Sequence, residues 1–285
     1  MTNAIARAKR IAFQGEPGAY ANLAAREAVL HAQAIPHASF EDAIEAVRSG
    51  DCDLCIIPVE NSLIGRIADI HHLLPDSGLH IVGEHFLPIR HQLLGLKNAA
   101  LEGITEVFSQ APALAQCRSI LREHKFKVHN WYDTAGSAKH VAELGDPKAA
   151  AIASTLAGEI YGLKVLAADV EDEHHNATRF LIMSRDAQLP PQEGKVVTTF
   201  IFRVKNVPAA LYKAIGCFAT ANINITKLES YQLGGSFNAT QFYADIQGHT
   251  ADPAVAHALE ELRFYTAKLD ILGVYPAHPY REDMP

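Results

Sequence analysis

Short apolar runs alternate with amphipathic stretches through the first two-thirds of the chain. That alternation predicts an α/β fold with a mostly parallel sheet. Strands are expected at 10–14, 53–59, 79–84, 87–96, 104–108, 128–131 and 149–153. Helical spacing predicts an alanine-rich helix over 19–31 and another over 40–49, with Phe40, Ala43, Ile44 and Val47 on one face. Gly50 and Gly162 read as stops for the helices over 40–49 and 154–161. Leu63, Ile67, Ile70 and Leu74 also fall at helical spacing, with Asn61 or Ser62 as cap. Ser109 or a neighbour, with Pro112 in the first turn, opens the helix carrying Leu114, Cys117 and Leu121. Thr134 is the expected cap of a helix over 134–144.

Two such strand–helix sets, roughly 10–84 and 90–160, suggest two lobes with a cleft between them, and strand ends facing the cleft are where ligands sit. The stretch 163–183 is expected to return to the first lobe as hinge and cleft wall. Beyond a linker at 186–194 bearing Pro190-Pro191, the pattern changes. Strands at 196–204, 223–233, 241–247 and 268–274, with helices at 208–221 and 253–265, give the order βαββαβ of a ferredoxin-like unit. Gly234-Gly235 would close its central hairpin. The expected domains are 1–186, with lobes of about 1–86 plus 163–186 and about 87–162, and then 195–285.

The densest chemistry lies at Glu171-Asp172-Glu173-His174-His175-Asn176-Ala177-Thr178-Arg179-Phe180, read as a polar turn at a strand end. Thr178 offers a hydroxyl and Arg179 a guanidinium fork, a pair suited to an anion that carries an alcohol. Glu60-Asn61-Ser62 follows Pro58 at the end of another strand. Gly15-Glu16-Pro17-Gly18 stands between a strand and a helix, where backbone N–H groups can face an anion, but for a lone G-x-x-G a plain tight turn is the stronger reading.

Charge narrows the partners. The 285 residues are 48% hydrophobic and 20% charged, and the net charge of −7 argues against a nucleic-acid partner. An anionic ligand would need local cations and helix N-termini. No apolar run of about 18 residues predicts a membrane span, and the first ten residues lack signal-peptide features, so a cytoplasmic location is expected. Four cysteines do not make a disulfide scaffold, and Cys52 and Cys55 would point to opposite faces of a strand. Cys117 and Cys217 stand alone, and His71-His72 and His174-His175 are adjacent pairs rather than ligand spacings; no metal is expected.

At Ile57-Pro58-Val59-Glu60-Asn61-Ser62-x-x-Gly65 the chain resembles the prephenate dehydratases, and the likeness recurs in order. It continues through Gly15–Gly18, Ser109-x-x-x-Ala113-Leu114-x-Gln116-Cys117, Thr134-Ala135-x-x-Ala138 and Asn176-x-Thr178-Arg179-Phe180. Asn222-Ile223-Asn224-Ile225-x-Lys227-Leu228-Glu229-Ser230 resembles the regulatory ACT domain that follows the catalytic domain in these enzymes. The resemblance implies decarboxylative dehydration of prephenate to phenylpyruvate on the route to phenylalanine, without a cofactor. It implies a two-lobed fold like type 2 periplasmic binding proteins, a homodimer or homotetramer, and allosteric control by L-phenylalanine.

On that resemblance Thr178 would hydrogen-bond the leaving ring hydroxyl and Arg179 would hold a carboxylate. Asn61, Ser62, Ser109, Gln116 and Thr134 would bind substrate. Glu60 would be repelled or protonated beside a dianion, so a structural role such as capping is expected. The chain departs from the family at Ala19-Tyr20-Ala21, where a hydroxyl is missing and Asn22 could substitute, and at Gln110-Ala111-Pro112. The phenylalanine site would involve Ala209, Ala210, Leu211, Asn224, Glu229 and Ser230, but Ala209, Tyr231 and Gln232 replace the usual Gly, Arg and Pro. Two rivals stay open: the same reaction on arogenate, and a non-catalytic sensor of aromatic or amino acids.

Overall fold

The computed structural model describes residues 4–232 and 239–282, so Gly234-Gly235 lies outside the described residues. The chain divides into two compact units. One holds Ala8–Ile67 and Phe86–Phe180; the other holds 4–7, 68–85, 181–232 and 239–282.

After a four-residue helix α1 (Ala4–Arg7), the first unit opens with β1 (Arg10–Gln14), α2 (Tyr20–Ala28), β2 (Gln33–His37), α3 (Phe40–Ser49) and β3 (Leu54–Asn61). Strand β1 lies parallel between β2 and β3, and its central residues are fully buried, as expected when helices cover a parallel sheet. Helix α3 keeps its expected bounds because both signals work: the Ser39 hydroxyl accepts from the Asp42 N–H, and Gly50 takes the left-handed conformation.

After β3 the chain does not enter a helix. It turns back as the two-residue strand β4 (Gly65–Arg66), antiparallel to β3 with Asn61 opposite Gly65, whose φ is +87°. The helix expected from Leu63 begins only at α4 (Ala68–Leu73). The chain then passes through β5 (His80–Pro88) into a second sheet. There β6 (Gln92–Gly95), β7 (Glu106–Ser109), α5 (Ala111–Gln116), α6 (Arg118–Glu123), β8 (Lys127–Asn130), α7 (Thr134–Leu144), β9 (Ala149–Ala153), α8 (Thr155–Tyr161) and β10 (Lys164–Ala167) follow in turn. The strand order is β10-β6-β9-β7-β8. Strand β10, expected with the first lobe, pairs antiparallel with β6 and belongs to this second lobe.

The helix expected after Pro112 is two short helices broken at Cys117 (φ −123°). Its N-cap is Gln110 with no side-chain bond, so Ser109 is not the cap. Helix α7 is capped by Asp133, which accepts from the Gly136 N–H; Thr134 is its first helical residue. The segment read as a turn through residue 180 becomes strand from Ala177 onward, as β11 (Ala177–Ser184), buried along its whole length.

The second unit contains β12 (Val196–Val204), α9 (Ala210–Thr220), β13 (Ile225–Gln232), β14 (Ala239–Gln247), α10 (Pro253–Tyr265) and β15 (Thr266–Pro276). Their order in the sheet, β13-β14-β12-β15, is that of the expected ferredoxin-like unit. Phe200, Phe202, Phe218, Ile246 and Leu262 fill its core between sheet and helices.

Candidate active site

The site grows from the β3–β4 hairpin. Asn61 Oδ1 accepts from the backbone N–H groups of Leu63 and Ile64 at 3.0 and 3.1 Å, an Asx turn rather than a helix cap. Those two donors settle which end of the Asn61 amide is oxygen. Its nitrogen must then face the other way, and it donates to Asn176 Oδ1 (2.7 Å) and to Thr178 Oγ1 (3.0 Å). The same logic propagates. Asn176 has its oxygen engaged, so its nitrogen donates to Gln116 Oε1 at 3.1 Å. Gln116 Oε1 also lies 2.9 Å from His91 Nε2, so that ring nitrogen carries the proton. His91 Nδ1 is then an acceptor for the Tyr20 hydroxyl at 2.7 Å, which shares its one hydrogen with the Arg90 carbonyl, to which it also donates, at 2.9 Å.

One backbone turn thus polarises a chain of six side chains drawn from both lobes of this unit. It leaves two donors uncommitted. Among the described residues, the Thr178 hydroxyl hydrogen and the Gln116 Nε2 hydrogens meet no acceptor. Burial explains why the polarity is stable: Asn176 is 1% exposed, His91 2% and Thr178 8%, so a flipped amide would face like groups with little water to rescue it. Burial also holds the His91 pKa below its ordinary value, against the opposing hydrogen bond to Gln116 and the Glu171 charge. Burial likewise pushes the Tyr20 phenol up, with Cys117 and Glu171 adding to it.

The two chain crossings between the lobes are laced together behind this network. Ile89 N–H donates to the Asn176 carbonyl and Val170 N–H to the His91 carbonyl. Glu171, almost fully buried, accepts from the His91 backbone N–H at 2.8 Å and from Arg90 at 2.9 Å. Asp172 accepts from the N–H groups of Arg118 and Ser119 at the start of α6. Burial acts to raise the Asp172 pKa, but hydrogen bonds from Ser119 and Arg118 with the Arg118 charge bring it below the usual carboxylate range. These two acids, expected at a hinge and surface, fasten the hinge.

Thr178 and Arg179 do not share a surface. Successive residues of a strand face opposite sides, and so do Glu60 and Asn61 on the neighbouring β3. Asn61 pairs with Thr178 on one face. On the other, Arg179 NH1 donates to Glu60 Oε1 at 2.9 Å, and its guanidinium lies 6.0 Å from the Phe86 ring centroid. Arg179 is 2% exposed. Thr178 and Arg179 lie on opposite faces because 177–184 is a pleated strand rather than the expected turn. Glu60 forms an ion pair with Arg179 rather than the expected cap.

The remaining expected residues divide. Gln116 joins the network. The Ser62 hydroxyl donates to the His175 carbonyl and accepts from Ala177 N–H, and Ser62 N–H donates to the Ala177 carbonyl, so Ser62 is a strap across the strand end. Ser109 is fully buried and donates to the Ile152 carbonyl at 2.7 Å. Thr134 is buried in the first turn of α7. Neither enters the network. Asn22 does not replace a missing hydroxyl, since it accepts from Gly18 N–H.

The glycine turn is not an anion cradle. Gly15 and Gly18 N–H groups are spent on the His37 carbonyl and Asn22. The Pro17 and Gly18 carbonyls accept from Tyr161 and from Ser154 at 2.9 and 2.6 Å. A Cβ on Gly18 (φ +93°) would lie 2.7 Å from the Ala157 backbone, so glycine is required where the turn docks on α8. Tyr20, His91 and Glu171 were missed as site residues. His91 and Tyr20 are 71 residues apart and no local pattern links them.

Among the described residues no group of three His, Cys, Asp or Glu is placed to hold a metal, and all four cysteines are buried free thiols. Burial pushes the Cys55 and Cys117 thiols far above their usual range. No helix among these residues is long and apolar enough to cross a membrane. In the second unit a cavity of about 270 Å³ is lined by Ala209, Ala210, Leu211, Tyr212, Phe242 and the 204–207 segment. Ala209 itself has φ +61°, a left-handed conformation at the N-cap of α9. Asn224, Glu229 and Ser230 are not among the lining residues; Glu229 pairs with Lys227 at 3.3 Å.

Comparison with known proteins places this geometry. The family model described as prephenate dehydratase matches residues 11–188. A bifunctional N-acyl-homoserine lactone acylase/prephenate dehydratase of Komagataeibacter europaeus is 48% identical over 272 residues, covering 95% of this chain and 97% of its own. Arogenate dehydratase/prephenate dehydratase 2 of Arabidopsis thaliana is 37% identical, over 94% of this chain and 72% of its own. Among solved structures, one described as GqqA, a quorum-quenching acylase, superposes with TM-score 0.91 at 48% identity, covering 96% of this chain and all of that one. The prephenate dehydratase of Arthrobacter aurescens in complex with L-Phe superposes with TM-score 0.86 at 29% identity, covering 97% and 92%. With residues 11–188 matched by the family model and a 48% identical relative aligned over 95% of the chain, this chain belongs to the prephenate dehydratase family.

Proposed function

We propose that this chain converts prephenate to phenylpyruvate. The observation that carries the reading is the polarity of the buried network: its uncommitted groups are a hydroxyl and an amide NH₂, both donors. Prephenate presents only acceptors to such groups, namely two carboxylates, a keto oxygen and a ring hydroxyl oxygen. Thr178 donates to the ring hydroxyl as its C–O bond breaks. The Asn61 Nδ2 donation into Thr178 Oγ1 strengthens that hydroxyl as a donor. The C–O bonding pair leaves with oxygen, and the pair released as the ring carboxylate departs as carbon dioxide completes the aromatic ring. A proton from solvent, relayed through the hydrogen bond, makes the departing hydroxide water, because a threonine hydroxyl is too weak an acid to supply it outright. Gln116 Nε2 donates to a carboxylate or keto oxygen of the same substrate.

Arogenate carries an ammonium in place of the keto oxygen. An ammonium needs acceptors, so the two uncommitted donors, Thr178 and Gln116 Nε2, favour prephenate. A competition assay with both substrates tests this. Faster consumption of prephenate is expected; preference for arogenate overturns the choice of substrate, and turnover of neither overturns the dehydratase reading in favour of a sensor.

Two extensions belong to the same proposal. The Arthrobacter aurescens relative was solved with L-Phe, and the cavity at Ala209–Leu211 gives phenylalanine a place here, in a C-terminal unit acting as a regulatory ACT domain of a homodimer or homotetramer. Titrating activity with phenylalanine should lower it; a flat response through millimolar ligand overturns regulation. The Komagataeibacter europaeus relative, matched over nearly the whole chain, also favours a second activity, cleavage of the amide of an N-acyl-homoserine lactone. Release of free fatty acid and homoserine lactone would support it, and an unchanged lactone would exclude it.

A further inference from the structure

His91 does nothing for the Thr178–Asn61 pair, whose polarity is fixed by the hairpin alone. Its own position is nevertheless held from four sides. The backbone N–H is bonded to Glu171, Nδ1 to the Tyr20 hydroxyl, and Nε2 to Gln116 Oε1. The Tyr20 ring meets the imidazole edge-on, with centroids 5.5 Å apart. Glu171 is itself held by Arg90, which donates at 2.9 Å to the same carboxylate and at 2.8 Å to the His174 carbonyl. Such restraint on a ring whose one outward bond goes to Gln116 calls for a role beyond filling space.

Gln116 needs the restraint. It ends α5, where the helix breaks at Cys117, and it is half-buried. Asn176 gives its oxygen one donor. A single neutral hydrogen bond is too weak to fix an amide at a partly wet site. The His91 N–H supplies the second donor to the same oxygen. Two donors converging on Oε1 make the flipped amide, with NH₂ facing N–H, strongly unfavourable.

We propose that His91 is a positioning residue: by donating from Nε2 to Gln116 Oε1, with Tyr20 and Glu171 fixing its ring, it presents the Gln116 NH₂ group to an anionic, acceptor-rich substrate. This rests on the dehydratase reading for the identity of that substrate, but not for the orientation of the amide. The groups around the ring are Tyr20 from α2, Gln116 at the end of α5 and Glu171 from the returning crossing, whose carboxylate also holds Arg90. Protonation of the ring leaves the Nε2–H bond in place, so the device does not act as a pH switch.

The test compares His91→Leu with His91→Gln in the full chain. The glutamine amide can place an N–H near the lost Nε2, and the leucine cannot. In His91→Leu, KM for prephenate should rise about 10-fold, the loss of one interaction worth about 1.4 kcal/mol, with kcat within about 3-fold. His91→Gln should recover most of that rise. An unchanged KM in His91→Leu, or a His91→Gln variant equally impaired though equally stable to heat, overturns the proposal. A second readout needs no turnover. The side-chain ¹⁵N–H resonances of Gln116 should shift in His91→Leu and keep close to the wild-type positions in His91→Gln. Resonances unmoved in His91→Leu overturn the positioning role whether or not prephenate is the substrate, whereas a wild-type chain inert to prephenate with the shift intact overturns only the dehydratase reading.

Discussion

Strands β3 and β11 carry two adjacent pairs that do opposite things. Asn61 and Thr178 meet on one face through neutral groups at 3.0 Å. Glu60 and Arg179 meet on the other as an ion pair at 2.9 Å. The second pair is chemically louder, and yet its charges are spent on each other, with the guanidinium buried against Phe86. The first pair is weaker bond by bond but directional, because the Leu63 and Ile64 backbone donors dictate which atom of Asn61 faces Thr178. On the proposed function, the difference means that a site for a dianion with two departing groups rests on oriented neutral donors. A full positive charge there would also stabilise the ground-state carboxylate that must leave.

The largest effect that can break this comparison is expected at Thr178. Thr178→Val keeps the shape and removes the hydroxyl, so kcat should fall by roughly 10²–10⁴ with little change in melting temperature. Glu60→Gln should do the reverse. It leaves the buried Arg179 charge short of its partner and should cost about 3 kcal/mol in a denaturant melt, with kcat of the folded enzyme within a few fold of wild type. Arg179→Met should cost less, about 1–3 kcal/mol, because Glu60 is 29% exposed and water can reach it. If either variant of the pair abolished turnover while staying folded, the division between the faces would fail.

Smaller effects sharpen the picture. Ala209→Gly should stabilise the chain by about 1 kcal/mol, since alanine at φ +61° sits where only glycine is unstrained. If the phenylalanine response of Ala209→Gly is steeper than that of wild type, the alanine is a brake on regulation. The smallest effect concerns pH. The His91 pKa is lowered on folding, so its contribution to stability is fully present above about 6.5 and is lost as pH falls through the folded value. His91→Gln should show a shallower loss of melting temperature than wild type between pH 7.5 and 5; parallel curves would contradict the direction assigned to this histidine.

Elements with strong local signals were legible in the sequence. Residues 40–49, 134–144, 149–153 and 253–265 fold within the bounds their periodicity and breakers set. The errors share a cause, which is long-range pairing overriding local pattern. Leu63, Ile67, Ile70 and Leu74 match a helical period, yet Gly65 at positive φ lets the chain fold back on β3 as a hairpin. The polar run through Arg179 looks like a turn, yet its second half is a buried strand whose polar side chains find partners on β3. That strand decides which of Thr178 and Arg179 shares a face with Asn61, and pleating cannot be read from residues taken to be a turn. The site was half legible for the same reason. Asn61, Gln116 and Thr178 stand in recognisable motifs, while Tyr20 and His91 become partners only once the crossings have been laid side by side.

The central claim is that a hydroxyl hydrogen at position 178, aimed by Asn61, assists departure of the ring oxygen. The most direct test is the kcat ratio of Thr178→Ser to Thr178→Val for phenylpyruvate formation from prephenate. Serine keeps the hydroxyl on the same Cβ, and valine keeps the volume. A ratio of about 10² or more is expected. Equal turnover by the two variants would show that the hydroxyl is not required at this position, and it would contradict the mechanism.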